Sequence, residues 1–290
     1  MVGAQDDRGR VHASSQGQSM AAAGWLDVHF EAMRPEYEAM LRSVGLQPGW
    51  HVLDAGCGGG SFLPLLAGAV GPAGRVAALD LAPENIATVQ ARLDGWALPC
   101  PVDARVGSVL ALPYPDRHFD AVWCAAVVQY LSDVELATAL RELRRVVRPG
   151  GLVAVKEADL TVENFAPGDP GLLWRLLIAA RERDPNIRGM LRTPMLRRWL
   201  ERAGLEAVWQ RRTLEERWAP LRPVERTLYG EIIAWYAGLA DAAALPEADH
   251  RRWRALRDPA APNHPLNSPD FHTYGAYALA VGRVPLASLG

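Results

Sequence analysis

The sequence predicts an α/β domain: a seven-stranded, mostly parallel sheet with helices on both faces and helical segments inserted late in the chain. Three observations carry this expectation. Five short apolar runs in the first half alternate with segments of helical period, the pattern of βαβ units. A glycine cluster follows the first run and an acid closes the second, the end of a parallel sheet where ligands bind. The 290 residues are 49% hydrophobic and 22% charged, enough apolar matter for a sizeable core and too little charge bias for a disordered chain.

Each element follows in order. Residues 1–24 hold Gly, Ser, Gln and Ala with no long apolar run ahead of a cleavage site. They are expected to form a disordered leader before a single domain over 25–290. Residues 29–44 set Phe30, Met33, Tyr37, Met40, Leu41 and Val44 along one helical side. Pro48-Gly49 turns the chain, and 51–54 form a buried strand running into Gly56-Cys57-Gly58-Gly59-Gly60. Ser61 stands where it can cap the next helix. Residues 75–80 are the second strand, and Pro83 opens a helix reaching about Trp96. Residues 102–106 and 119–125 are the third and fourth strands. A helix over 133–147 ends at Pro149-Gly150-Gly151, and 152–157 form the fifth strand. The pattern then changes, with helices over 172–180 and 194–203 and a strand over 205–211. Residues 217–257 are largely helical, and a last strand covers 273–284. The core thus spans 48–158, with inserted segments over about 159–192 and 217–268.

Composition excludes several roles. The net charge of −2 gives no overall attraction to nucleic acid or to an anionic membrane. No lysine–arginine stripe is interleaved with aromatics, and no apolar run approaches the ~20 residues of a membrane span. Cys57, Cys100 and Cys124 are too few and too widely spaced for a disulfide framework or a zinc pattern, which suits a reducing, cytoplasmic setting. No HExxH or close histidine–carboxylate set supports a metal. Lys156 is the only lysine, an imbalance that reads as codon or lineage bias.

The chemistry begins at Asp54-Ala55-Gly56-Cys57-Gly58-Gly59-Gly60. Glycines at a strand end let the backbone turn tightly and approach a ligand closely. Asp80, at the end of the second strand, can accept both hydrogen bonds of a ribose diol. A dinucleotide fingerprint would place a glycine where Ser61 stands. Asp54 would repel a pyrophosphate, yet it suits the ammonium of an amino-acid ligand.

These residues resemble the first motif of class I S-adenosylmethionine-dependent methyltransferases, with Asp80 at that family's ribose-binding position. Asp116-Arg117-His118-Phe119-Asp120 resembles the family's entry to the fourth strand, and Leu143 to Gly151 is similar to its helix and turn before the fifth. The resemblance covers about residues 48–158. It implies a Rossmann-like sheet, S-adenosyl-L-methionine as cofactor, and an inserted helical lid over the acceptor. It further implies that Gly56, Cys57 and Gly58 pass the methionine moiety and that Asp54 meets its ammonium. Leu81 would lie against the adenine, and Ser108 would stand where many relatives carry an acid. Tyr37 would close over the methionine end. Gln129 and Tyr130, after the fourth strand, would border the methyl group, or else brace that region.

The late segments are rich in tryptophan, Trp174 among them, which favours a small aromatic or hydrophobic natural-product acceptor. A carbon or oxygen acceptor needs a base, and His29, Tyr37 and Glu157 are the candidates. Glu157 could instead fix a loop, and Tyr37 could be helix packing. The expected function is methyl transfer to carbon, nitrogen or oxygen of such a molecule, with no nucleic-acid or membrane partner and with a homodimer as the default assembly. A nucleotide-dependent oxidoreductase and a non-catalytic binding protein on the same fold are the alternatives.

Overall fold

The computed structural model describes residues 23–286. The expected leader therefore lies, up to position 22, outside the described residues. The chain opens with α1 (Ala23–Ala32) and α2 (Arg34–Val44). The spacing predicts one continuous helix there. Met33 leaves the helical region and Pro35 starts α2 within its first turn, so the helix is broken in two.

β1 (His51–Ala55), α3 (Leu63–Val70), β2 (Arg75–Asp80), α4 (Pro83–Leu93), β3 (Val102–Val106) and β4 (Phe119–Ala125) follow. Ser61 does not cap α3; its hydroxyl donates to Asp27 on α1 at 3.1 Å and ties that helix to the glycine loop. Next come α5 (Asp133–Val146) and β5 (Val147–Ala158). A reciprocal cap between Ser132 and Glu135 starts α5, and its buried face is Leu136, Ala139, Leu140, Leu143 and Val146, the 3.6-residue stripe visible in the sequence. The later half holds β6 (Asn164–Ala166), α6 (Leu172–Ala180), α7 (Pro185–Leu191), α8 (Leu196–Arg202), β7 (Glu206–Trp218), α9 (Pro223–Ala240), α10 (Glu247–Ala255) and β8 (His272–Arg283).

The strand order is β3-β2-β1-β4-β5-β8-β6, with β7 also paired to β8. β1 to β5 run parallel, while β8 is antiparallel to β5, β6 and β7. The seven expected strands are present, with an eighth, β6, of three residues. It takes up β8 at Tyr274, just past Tyr277, where β5 ends. β7 extends to Trp218 rather than stopping near 211, because β8 offers it backbone partners down to His272.

Chain order reverses between β2-β1 and β4, which opens a crevice beyond the carboxyl ends of those strands. One apolar layer packs α5 and α8 on Leu53, Val122 and Val155. The other packs α2, α3 and α9 on Val52, Trp123 and Ala154. A third cluster joins α6, α9 and α10 through Leu176, Leu177, Tyr236 and Trp253, and so builds the cap over the crevice. Among the described residues no helix is long and apolar enough to cross a membrane.

Candidate active site

β1 delivers the chain into the crevice at Asp54 and turns it with Gly56 and Gly58, both at positive φ. A Cβ on Gly56 would stand 2.3 Å from the Val127 side chain, so only glycine lets this loop pass the segment after β4. The amides of Gly56 and Cys57 both donate to the Leu79 carbonyl, at 2.7 and 2.9 Å. The Gly58 amide donates to Asp80 Oδ2 at 2.8 Å. Asp80 Oδ1 takes the Ala82 amide at 2.9 Å and Asn85 Nδ2 at 3.0 Å. Asp80 thus joins the glycine loop to the start of α4; it lines the cleft, and of its carboxylate sites one on Oδ2 is left to accept from a ligand.

Asp54 is 1% exposed, and its Oδ2 is buried with no hydrogen-bond partner among the described residues. Burial first, and the charge of Asp80 second, raise its carboxyl to about 8. A neutral acid is therefore held at the floor of a cleft, ready to ionise when a cation arrives. Cys57 also lines the cleft, its thiol pushed up by burial. Leu81, exposed at 40%, offers an apolar face at the rim. Ser108 lines the cleft too, and its hydroxyl accepts the Leu110 amide at 3.1 Å.

α1 and α2 close the crevice from one side. His29 Nδ1 is 2.9 Å from the Tyr37 hydroxyl and its Nε2 is 3.0 Å from the Tyr277 hydroxyl. Burial, helped by the charge of Lys156, lowers His29 to about 3. The neutral ring carries one N–H, so it donates to one phenol and accepts from the other. His29 is thereby a fixed bridge between two tyrosines.

A second cavity of about 690 Å³ adjoins the cleft. Trp25, His29, Gln129, Tyr130, Met190 and Tyr277 border both. Its far wall is aromatic and acidic: Tyr229, Trp235 and Tyr236 stand with Glu163 and Glu215. The Tyr229 hydroxyl donates to Glu215 at 2.6 Å, and Tyr236 hydrogen-bonds Glu163, whose carboxyl burial raises to about 7.

Two residues expected at the site lie elsewhere. Glu157 borders neither cavity. Its Oε1 accepts the amides of Val127 and Val128 at 2.9 and 2.7 Å, so it braces the segment after β4. Strand alternation gives the crevice side to its neighbour Lys156, which the sequence reading passed over. Trp174 also borders neither cavity. The inward stripe of α6 is Leu172, Leu173, Leu176, Leu177 and Ala180, which leaves Trp174 on the outer side, 48% exposed. Replacing Trp174 by serine is expected to leave S-adenosylhomocysteine affinity unchanged and to shift stability by less than about 1 kcal/mol, checked by calorimetry and a thermal melt. Trp25, Glu163, Tyr229, Trp235 and Tyr277, none of them expected individually at the site, come from α1, the segment before β6, α9 and β8. The aromatic-rich later half pointed to Tyr229, Trp235 and Tyr277 only as a group, and no local pattern marks Trp25 or Glu163.

Residues 52–151 match the family described as "Methyltransferase domain". A demethylmenaquinone methyltransferase of Lactobacillus johnsonii is 31% identical over 151 residues, covering 46% of this chain and 61% of that protein. A 2-phytyl-1,4-naphtoquinone methyltransferase of Synechococcus elongatus is 36% identical over 109 residues, covering 38% and 46%. The chain thus spans about half to three fifths of these relatives' own length. The YcgJ protein of Bacillus subtilis has the same fold, with a TM-score of 0.52 at 19% identity over 86% of this chain and 97% of that one.

Proposed function

From the match of residues 52–151 to a methyltransferase domain, we propose that the chain is a class I S-adenosylmethionine-dependent enzyme that methylates a small, largely apolar aromatic acceptor held in the cavity beside the cleft. The observation that carries this reading is the shared wall. A cleft with the family's glycine loop opens onto a chamber of about 690 Å³ through seven common residues, Ala158 among them.

The cleft fits the cofactor on its own chemistry. Asp54 Oδ2 is a buried acceptor without a partner, suited to an α-ammonium. Asp80 Oδ2 keeps one acceptor site for a ribose hydroxyl, and Leu81 gives an apolar surface for a base. When bound, S-adenosylmethionine supplies an already activated sulfonium methyl. The protein's part is orientation and exclusion of water. α1 covers the glycine loop, where the Leu26 side chain would meet a Cβ on Gly58 at 2.7 Å. Tyr37, His29 and Tyr277 form a rigid wall, while Gln129, Tyr130 and Met190 hold the acceptor from the other side. Glu163, Glu215 and Glu231 place carboxyls among the aromatic and aliphatic side chains of the chamber. Glu163 and Glu215 each accept from a tyrosine and keep further acceptor sites, which suits an acceptor that carries a hydroxyl or N–H beside its apolar body.

Calorimetric titration with S-adenosylhomocysteine, with NADH as comparison, tests the cofactor. Micromolar binding of the first alone is expected. Binding of NADH alone would sink the reading. A screen of indoles, phenols and prenylated aromatics with S-adenosylmethionine, read by mass gain of one methylene, then identifies the acceptor class.

A further inference from the structure

An acceptor that gains a methyl must pass its proton to some group of the site. Glu157 faces away, and His29 is fixed between two phenols. Lys156 remains. It lies on β5 at the carboxyl end of the sheet, lines the cleft, and is only 2% exposed. Its Nζ stands 4.0 Å from the ring centre of Tyr37 and 4.1 Å from that of Tyr277. It makes no ion pair or hydrogen bond with another described residue. A buried lysine that served only the fold would have such partners, because an unpaired polar group in the interior costs free energy.

Composition adds an independent point. The chain holds 31 lysines and arginines, and Lys156 is its one lysine. Arginine serves at every other basic position. It cannot serve where the group must give up its proton near neutral pH.

We propose that Lys156, as a free amine in this two-phenol box, is the proton acceptor of the methyl transfer. The proposal rests on the methyltransferase reading and completes it. Nζ takes the proton that the acceptor's oxygen, nitrogen or carbon loses as its bond to the methyl carbon forms. The electron pair of the broken C–S bond stays on sulfur, leaving a neutral thioether. The positive charge ends on Nζ, where the faces of Tyr37 and Tyr277 stabilise an ammonium. One charge thus leaves the sulfur and one appears on the lysine, so the pocket's total does not change.

The groups around Nζ agree with a free amine. His29 from α1 is neutral, and Tyr37 from α2 and Tyr277 from β8 are phenols held well above their usual range by burial. Glu215, Glu163 and Glu36 act by charge on Tyr277, and Glu157 is the one carboxyl that acts on Lys156. Burial outweighs it and brings the amine to about 7. A base poised there is matched to neutral working conditions.

Because the lysine is unique, the full chain grown with [ε-13C]lysine gives one side-chain signal from this residue. Its titration is to be followed in the free protein, with S-adenosylhomocysteine, and with S-adenosylmethionine. The two ligands differ by a methyl and a positive charge. Titration near neutrality with S-adenosylhomocysteine, and about one to two pH units lower with S-adenosylmethionine, is the expected result. Titration near the ordinary ~10.4 in the S-adenosylhomocysteine complex overturns the proposal alone. Absence of binding by either ligand in the same samples overturns the cofactor reading and the proposal with it. With the acceptor identified, K156M and K156R are both expected to lose about 100-fold or more in kcat, to keep S-adenosylhomocysteine affinity, and to lose the rise of kcat with pH. A purely structural lysine would instead be rescued by K156R and would leave the pH profile in place.

Discussion

Replacing Asp54 by asparagine is expected to weaken S-adenosylhomocysteine binding by about two orders of magnitude, close to 3 kcal/mol, without lowering the thermal midpoint. The two halves of this expectation have one cause. In the free protein the carboxyl is buried, lacks a partner on Oδ2, and is raised to about 8 by burial and by Asp80. Near pH 7 it is therefore mostly neutral, and an amide of the same shape costs the fold little. Binding of an amino-acid ammonium changes this, because the cation favours the ionised acid and draws the proton off. The sign for pH follows. Below about 8 the acid must ionise before it can pair, so wild-type affinity should rise with pH, by up to about tenfold per unit, and flatten above that value. D54N should be flat over the same range. Calorimetry at pH 6.5 in two buffers of different ionisation heat should count nearly one proton released by the wild type and none by D54N. Equal affinities in the two proteins, or equal proton counts, would remove Asp54 from the cofactor site. The same substitution separates the oxidoreductase alternative, since a pyrophosphate would gain from loss of the acid.

The parts of the site that were legible in the sequence are those fixed by local chemistry. Gly56 and Gly58 turn where only glycine fits, Asp80 closes a short strand, and α5 carries its apolar stripe and its cap in consecutive residues. Each of these needs a window of at most fifteen residues. The parts that were not legible depend on which side of an element meets the crevice. Glu157 is the more familiar catalytic residue type, yet the Val127 and Val128 amides claim it, and pleat alternation gives the cleft to Lys156. Trp174 is the more conspicuous aromatic, yet α6 turns its leucines inward. The chamber was least legible. Its wall joins Trp25 of α1, Glu163 beside β6, Glu215 of β7 and Tyr229 of α9, which no sequence period relates. Even the excess of arginine over lysine, which composition alone attributes to lineage, acquires a physical sense only once Lys156 is seen between two phenols.

The chamber's roof yields the second large expectation, at Gly189 on α7. A Cβ there would stand 1.9 Å from the Gln129 carbonyl oxygen and 2.9 Å from its Cα. Both obstacles are backbone, so no side-chain rotation relieves the clash. α7 is seven residues long, and Asp184 fixes its start by accepting the Asn186 and Ile187 amides at 2.8 and 3.2 Å. Arg192, just past its end, donates to the Val128 and Leu131 carbonyls at 2.8 and 3.0 Å and pairs with Asp133 at 2.5 Å. The helix is thus pinned at both ends over the 3₁₀ turn Val128–Tyr130, with Met190 reaching both cavities. G189A must lift the helix off that turn, at a cost of about 2–4 kcal/mol. The thermal midpoint should fall, and amide exchange should quicken at Val128 to Leu131. Turnover of the acceptor should drop more than S-adenosylhomocysteine affinity, because Asp54 and Asp80 sit on β1 and β2, away from the lifted roof. Replacing Arg192 by methionine removes two hydrogen bonds and an ion pair but adds no clash, so its effects should lie in the same direction and be smaller. An unchanged melt and unchanged protection in G189A would mean that α7 is not seated on the turn, and the shared wall of the two cavities would then lose its roof as a fixed element.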